Sequence, residues 1–352
     1  MKKKHKSFLI TAAIVLIAVL VPAVIFYSRA PVLIVTEQFF ERLYGEERIK
    51  RENRRASLAL LRPVKSVSVA NDVGDDIASL AISDVSGNPF CVIFPFRFVR
   101  TADLYLRQNP HVPVILLEGR FAENQNPSAF AIGNNPSDIH IFKTDINADF
   151  YRAGLAAASI VEMSERAKAA EAEAAGESAS NSPQGRSSPP RIAVFLEKDF
   201  PQAREAFLKA VNDYEPPPEE KSKNGKQSSE EDSGLPAVAR VVPRTQFISV
   251  FSQFSSTPDL SCVVIVDFGT EYLENKAEIP VILFTWLDLF LIPDDVVLVI
   301  DDSPWAQAVK AVKMAGAAGG EEPSGSQSGL ISSKFHFMKI NKFDRETLRK
   351  IR

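Results

Sequence analysis

The chain has 352 residues, 45% of them hydrophobic, with 41 Lys and Arg against 44 Asp and Glu and a formal net charge of −3. That length suits two domains at roughly 100–200 residues each. The charge balance offers no basic face or stripe of the kind nucleic acid requires, and the four histidines are scattered without metal-ligand spacing, so no cofactor or metal is expected.

Lys2, Lys3, Lys4 and Lys6 precede an apolar run over residues 8–27 that is broken by Thr11. About 20 apolar residues at 1.5 Å rise match a ~30 Å hydrocarbon core. The leading lysines put the N-terminus in the cytoplasm and everything beyond Tyr27 outside. Ser28-Arg29-Ala30 has the small–x–small form of a signal cleavage site. The run exceeds the ~7–15 residues of a signal core, however, and Pro31 follows where a peptidase must grip the backbone. Residues 1–30 are therefore read as a cytoplasmic tip and retained transmembrane helix, with the body on the periplasmic side of the inner membrane.

The body alternates strands with helical stretches. Residues 31–36 form a continuous apolar run, the mark of a strand buried on both faces, and residues 37–62 follow with helical spacing. Further strands are predicted at 64–70, 91–96, 112–118, 129–132 and 139–143, with helices at 75–85 and 98–108. A long helix is predicted over 145–173. The pattern then restarts, with strands at 191–197, 238–242, 261–267, 280–285, 296–301 and 334–340. Helices are expected at 201–214, 270–277 and 304–315 and a terminal one at 344–351, and residues 246–254 read as short helix or irregular. This alternation predicts parallel sheets with helices on both faces.

Stretches near 174–190, 216–234 and 316–329 are rich in Ser, Gly, Glu, Lys and Pro and read as disordered insertions. Cys91 and Cys262 each open a strand, in different halves, and are expected to be free and buried.

The order of elements resembles that of type I periplasmic-binding-protein domains, the fold of extracytoplasmic sugar-binding proteins and of lactose-repressor-type effector domains. The likeness runs from about Pro31 to Ile340. It rests on Thr144-Asp145 followed by Asp149 to Ala157 with Gly154, on Arg191 to Leu196 followed by Arg204 to Ala210, and on Cys262 to Asp267 with the strands after it. No helix-turn-helix segment stands before the body. The resemblance implies two doubly wound α/β lobes joined by a hinge: residues 31–145 as the N-terminal lobe, 146–340 as the C-terminal lobe, and 341–352 as a terminal helix.

No Gly-rich phosphate loop, nucleophile elbow or His–Glu–x–x–His is present, so an enzyme is not expected. In open α/β sheets ligands sit at the carboxyl ends of strands. Those ends place Glu37, Asp72, Arg97, Glu118 and Asp145 in the first half, and Glu197, Asp267, Trp286 and Asp301 in the second. Carboxylates and aromatic faces are what a sandwiched sugar- or nucleoside-like solute needs. The expected function is capture of a small polar solute between the lobes, for transport or sensing, with a permease or sensor as membrane partner. The alternative is a structural or interaction protein that keeps the fold without a small ligand.

Overall fold

The computed structural model describes residues 24–70, 72–119, 139–174, 191–215, 243–249, 260–266, 279–316 and 328–351. Its first five strands are β1 (Val32–Glu37), β2 (Val64–Val69), β3 (Cys91–Pro95), β4 (Val114–Glu118) and β5 (Ile139–Thr144). The next five are β6 (Arg191–Leu196), β7 (Arg244–Ile248), β8 (Leu260–Val266), β9 (Val281–Phe284) and β10 (Val296–Asp301), followed by β11 (Ser328–Ile331) and β12 (Lys334–Phe337). They form two sheets, ordered β11-β5-β4-β3-β1-β2 and β12-β10-β9-β8-β6-β7. All five pairings of the first sheet are parallel, as are those of β6 to β10 in the second. Each sheet carries the doubly wound order in which the first strand lies between the second and third, so each has a switch point there.

The pleat explains why the strands read as unbroken apolar runs. Val32, Ile34, Cys91 and Ile93 face one core of the first sheet, and Leu33, Val35, Val92 and Phe94 face the other. The first core is closed by helices Glu46–Leu60 and Pro304–Met314, and the second by Asp75–Ser86 and Val99–Gln108. In the second sheet, one core gathers Val194, Val264, Ile282 and Ile300 under helices Ile146–Ala174, Pro201–Asp213 and Arg345–Ile351. Gly154 brings the first two of those helices close. A Cβ there would stand 2.6 Å from the Phe207 carbonyl oxygen and 2.8 Å from Ala210 Cβ.

The structure divides the chain differently from a simple N-terminal and C-terminal half. One unit holds residues up to Asp145 with Trp286–Leu291 and Asp302–Lys334, and the other holds Ile146–Thr285, Ile292–Asp301 and Phe335–Arg352. The helix expected over 37–62 is broken into Gln38–Tyr44 and Glu46–Leu60 by Gly45, whose φ of 84° no helix accepts. The stretch 246–254, expected as short helix or irregular chain, instead begins within the edge strand β7, which ends at Ile248. β11 begins inside the stretch expected as insertion. Cys91 and Cys262 are free and buried, one in each unit. Burial pushes the Cys91 thiol up to about 12 and raises Cys262 as well.

No helix among the described residues is long and apolar enough to cross a membrane. The run expected to span one lies outside them up to residue 23, and residues 24–28 are helical. The expected strands at 129–132 and 238–242, and the helix at 270–277, also lie outside the described residues.

Candidate functional site

The switch point of the first sheet lies between β1 and β3, and the residues ending those strands meet there. Glu37 closes β1 with its side chain 6% exposed. Arg97 follows β3 in a single 3-10 turn, Phe96–Phe98, and is 49% exposed. Its two terminal nitrogens pair with the two Glu37 oxygens, the fork-on-carboxylate geometry that fixes a guanidinium in direction as well as place. Burial pushes the Glu37 carboxyl up, and the Arg97 charge and hydrogen bond oppose that without cancelling it.

Aromatic rings extend this pair. The Arg97 guanidinium lies 5.6 Å from the Phe40 ring centroid and 5.7 Å from that of Phe98. Phe40 in turn meets Trp286 edge-on at 4.9 Å. The Trp286 indole N–H donates to Asp302 Oδ1 at 2.6 Å. Thr144 Oγ1, at the end of β5, lies 3.4 Å from Asp302 Oδ2 and accepts from Gln307 Nε2 at 3.0 Å. Gly119, just past β4, borders the row: a Cβ there would make ordinary contact, 3.5 Å from Asp302 Oδ2 and 3.8 Å from Trp286 Cζ2. The first unit therefore carries Arg97, Phe40, Trp286 and Asp302 as one chain of contacts along the carboxyl ends of its parallel strands. A guanidinium can donate to hydroxyl or carboxyl oxygens, and the ring faces can cover the apolar side of a sugar or base.

The other residues singled out from sequence are placed differently. Glu118 ends β4 and pairs with Lys143, its register partner on β5, at 3.0 Å. Asp72 is an exposed turn residue after β2. Asp145 is half-buried, and its backbone N–H donates to Ile331 O at 2.9 Å. Glu197 is exposed after β6. Asp301, fully buried at the end of β10, has His336 Nε2 3.4 Å from its Oδ2. Asp267 lies outside the described residues. Trp286, grouped by sequence with the second half, belongs to the first unit because the chain returns there for Trp286–Leu291. Trp305 returns likewise, but it is a core residue, stacked on Tyr44 at 4.5 Å with its N–H donating to Ser66 Oγ at 2.9 Å.

Asp302, Thr144, Gln307 and Phe40 are the members of the row that sequence reasoning passed over. Ser303 caps the helix that follows, accepting from the Ala306 N–H at 3.3 Å, which leaves the neighbouring carboxylate of Asp302 to the row. The burial of Asp302 to 1% exposure was the missing signal, since a carboxylate that deep needs donors of its own.

No family model and no curated protein matches the sequence. Solved structures do. A transcriptional activator of the comK gene from Bacillus halodurans aligns with a TM-score of 0.50 at 12% identity, over 92% of this chain and 95% of that one. A periplasmic solute-binding protein of an ABC transporter from Actinobacillus succinogenes, with bound D-allose, aligns at 0.43 and 11% identity over 89% and 99%. A LacI transcriptional regulator from a Rhodococcus species aligns at 0.43 and 15% identity over 87% and 96%. The likeness to the Bacillus halodurans structure carries architecture alone, and the two doubly wound parallel sheets agree with it: the chain has the type I periplasmic-binding-protein-like fold.

Proposed function

We propose that this protein reversibly binds a small polar solute, sugar- or nucleoside-like, at the carboxyl ends of its strands, and does no covalent chemistry on it. The observation that supports this is the Glu37–Arg97 pair at the first sheet's switch point, where open α/β sheets hold ligands, with Phe40 and Trp286 continuing it. Glu37 aims Arg97, and Arg97 presents donors to the solute. Trp286, held by Asp302, offers a fixed ring face. The apolar run over residues 8–27 behind its lysines supports a retained anchor, with the body extracytoplasmic and near a permease or sensor.

A second reading is favoured by one feature of the same residues. Glu37, Arg97, Glu118, Trp286 and Asp301 each contact a partner within their own unit, as they would in an interaction protein that keeps the fold without a solute. Calorimetry against a panel of monosaccharides and nucleosides separates the two. Under the first reading a panel member binds, and Arg97→Ala weakens it by about tenfold to a hundredfold, the scale of a lost charged hydrogen bond, with the circular dichroism spectrum unchanged. A wild type that binds nothing in the panel sinks the solute reading and leaves the interaction protein.

A further inference from the structure

The helix Glu46–Leu60 seats Ile49, Ala56 and Leu60 in the core and turns another face outward. On that face Arg54 and Leu58 stand four residues apart and so share a side, and Leu61, the left-handed residue that ends the helix, donates its N–H to the Leu58 carbonyl oxygen at 3.4 Å. Leu58 is 67% and Leu61 64% exposed. A single exposed leucine is ordinary; this pair has neighbours that make it informative. Arg29 donates from Nη1 to the Leu61 carbonyl oxygen at 2.9 Å, and Arg62 donates from Nη1 to the Ala30 carbonyl oxygen at 3.3 Å. These two bonds strap the chain at residues 29–30 to the end of the helix. Just before the strap, Val24, Ile25 and Tyr27 are exposed, and before them the sequence is apolar back to Phe8.

The charges agree with the apolar pattern. Burial holds the Arg62 guanidinium, which lies 3.4 Å over the Phe90 ring, below its ordinary value, and leaves Arg29 and Arg54 as the exposed cations beside the leucines. The carboxylates of the same helix lie elsewhere. Glu52 is buried against Arg55 and Lys334. Glu46 and Glu47 are in the first turn, about 17–18 Å from Leu58 along the axis at 1.5 Å per residue. Leucines flanked by arginines, with a tyrosine alongside, have the composition of an interfacial surface: apolar side chains enter the acyl boundary while guanidinium groups meet lipid phosphates.

We propose that Leu58 and Leu61, with Arg29 and Arg54, form a docking face that lies against an anionic phospholipid bilayer. The proposal rests on the reading of residues 8–27 as a membrane anchor, because the strap holds this face next to the end of that run. It adds which side of the first unit meets the lipid, and so which sides are left for partners.

The test uses the full chain reconstituted in vesicles of phosphatidylcholine and phosphatidylglycerol. Both native thiols are buried, so a thiol-reactive fluorophore reports a single introduced cysteine. Leu58→Cys is compared with Val85→Cys, equally exposed on the helix Asp75–Ser86, which packs on the opposite face of the same sheet. Doxyl-labelled lipid should quench the label at 58 several-fold more than the label at 85, and the difference should shrink with Arg54→Gln or in vesicles without phosphatidylglycerol. Equal quenching at the two positions overturns the docking face. An alkaline carbonate wash reads the anchor separately. Protein that resists the wash with equal quenching keeps the anchor and loses the face. Protein that washes off after selective quenching at 58 keeps the face and loses the anchor. Protein that washes off with equal quenching loses both.

Discussion

Asp344→Ala should unhinge the C-terminal helix of the second unit. The carboxylate precedes helix Arg345–Ile351 and takes four hydrogen bonds: from Thr347 N at 2.8 Å, Thr347 Oγ1 at 2.6 Å, Ser159 Oγ at 2.7 Å and Tyr214 O–H at 2.9 Å. Ser159 lies on the helix Ile146–Ala174, so one side chain ties the terminal helix to the unit's long helix. An ordinary helix cap is worth about 1 kcal/mol. Here Ser159, Tyr214 and Thr347 are all buried, and removing the acceptor orphans each donor at ~1 kcal/mol or more, so the expected loss is about 3–4 kcal/mol. Asp344→Asn keeps the shape and one acceptor and should lose about half of that. Burial alone would raise this carboxyl; the bonds from Thr347, Ser159 and Tyr214 outweigh it and hold it below its ordinary value. A depressed folded value means the contribution is complete above the unfolded carboxylate pKa, about 3.9, and is lost as pH falls through the lower folded one. The gap between wild type and Asp344→Ala should therefore stay constant from neutral pH down to about 4 and close only below that. Urea unfolding is the assay, read by two probes. Both tryptophans, Trp286 and Trp305, belong to the first unit, so their fluorescence reports that unit while far-ultraviolet circular dichroism reports both. The dichroism transition should move to lower urea. A loss under about 1 kcal/mol, the value of a plain cap, would refute the clamp, as would a shift in fluorescence alone.

Gly154→Ala should destabilise the second unit by about 1–3 kcal/mol, since the added methyl meets the Phe207 carbonyl and Ala210 rather than a flexible side-chain end; dichroism-monitored melting within error of wild type would show the helices can part freely. Thiol titration of the native protein at neutral pH should find neither Cys91 nor Cys262 reactive, because burial raises both thiols, whereas denaturant without reductant should expose both.

What could be read from sequence divides along physical lines. β1, β8 and β10 are legible because strands buried on both faces read as runs of four or more apolar residues, mostly Val, Ile and Leu. β7, Arg-Thr-Gln-Phe-Ile, is an edge strand with an alternating exposed pattern, and its polar residues hid it. β11 is four residues of Ser-Gly-Leu-Ile beside a Gly/Ser-rich stretch, too short and too small to show a period. Gly45 left the helical spacing intact on both sides, so the break it imposes was visible only in its φ. Glu37 and Arg97 were legible because each directly follows a readable strand. Their pairing was not, because strand order decides which ends become neighbours, and an order with β1 beside β3 appears nowhere in the linear chain.

The adjacent carboxylates Asp301 and Asp302 show how that limit bears on chemistry. In sequence they form a pair, the arrangement from which acid and base roles are built. Consecutive side chains on an extended backbone project to opposite sides, and here the chain also changes unit between them. Asp301 stays with the second unit and His336, whereas Asp302 joins the first with Trp286 and Thr144. Two carboxylates that share a proton must crowd together in one site; these are each buried among their own partners. Asp302 is thus a positioning residue for the Trp286 ring, and the pair gives no ground for a catalytic dyad. Under the proposed solute reading, Trp286 and Arg97 are the residues of the row that would touch the solute, since Asp302 and Glu37 behind them are already committed to holding them in place.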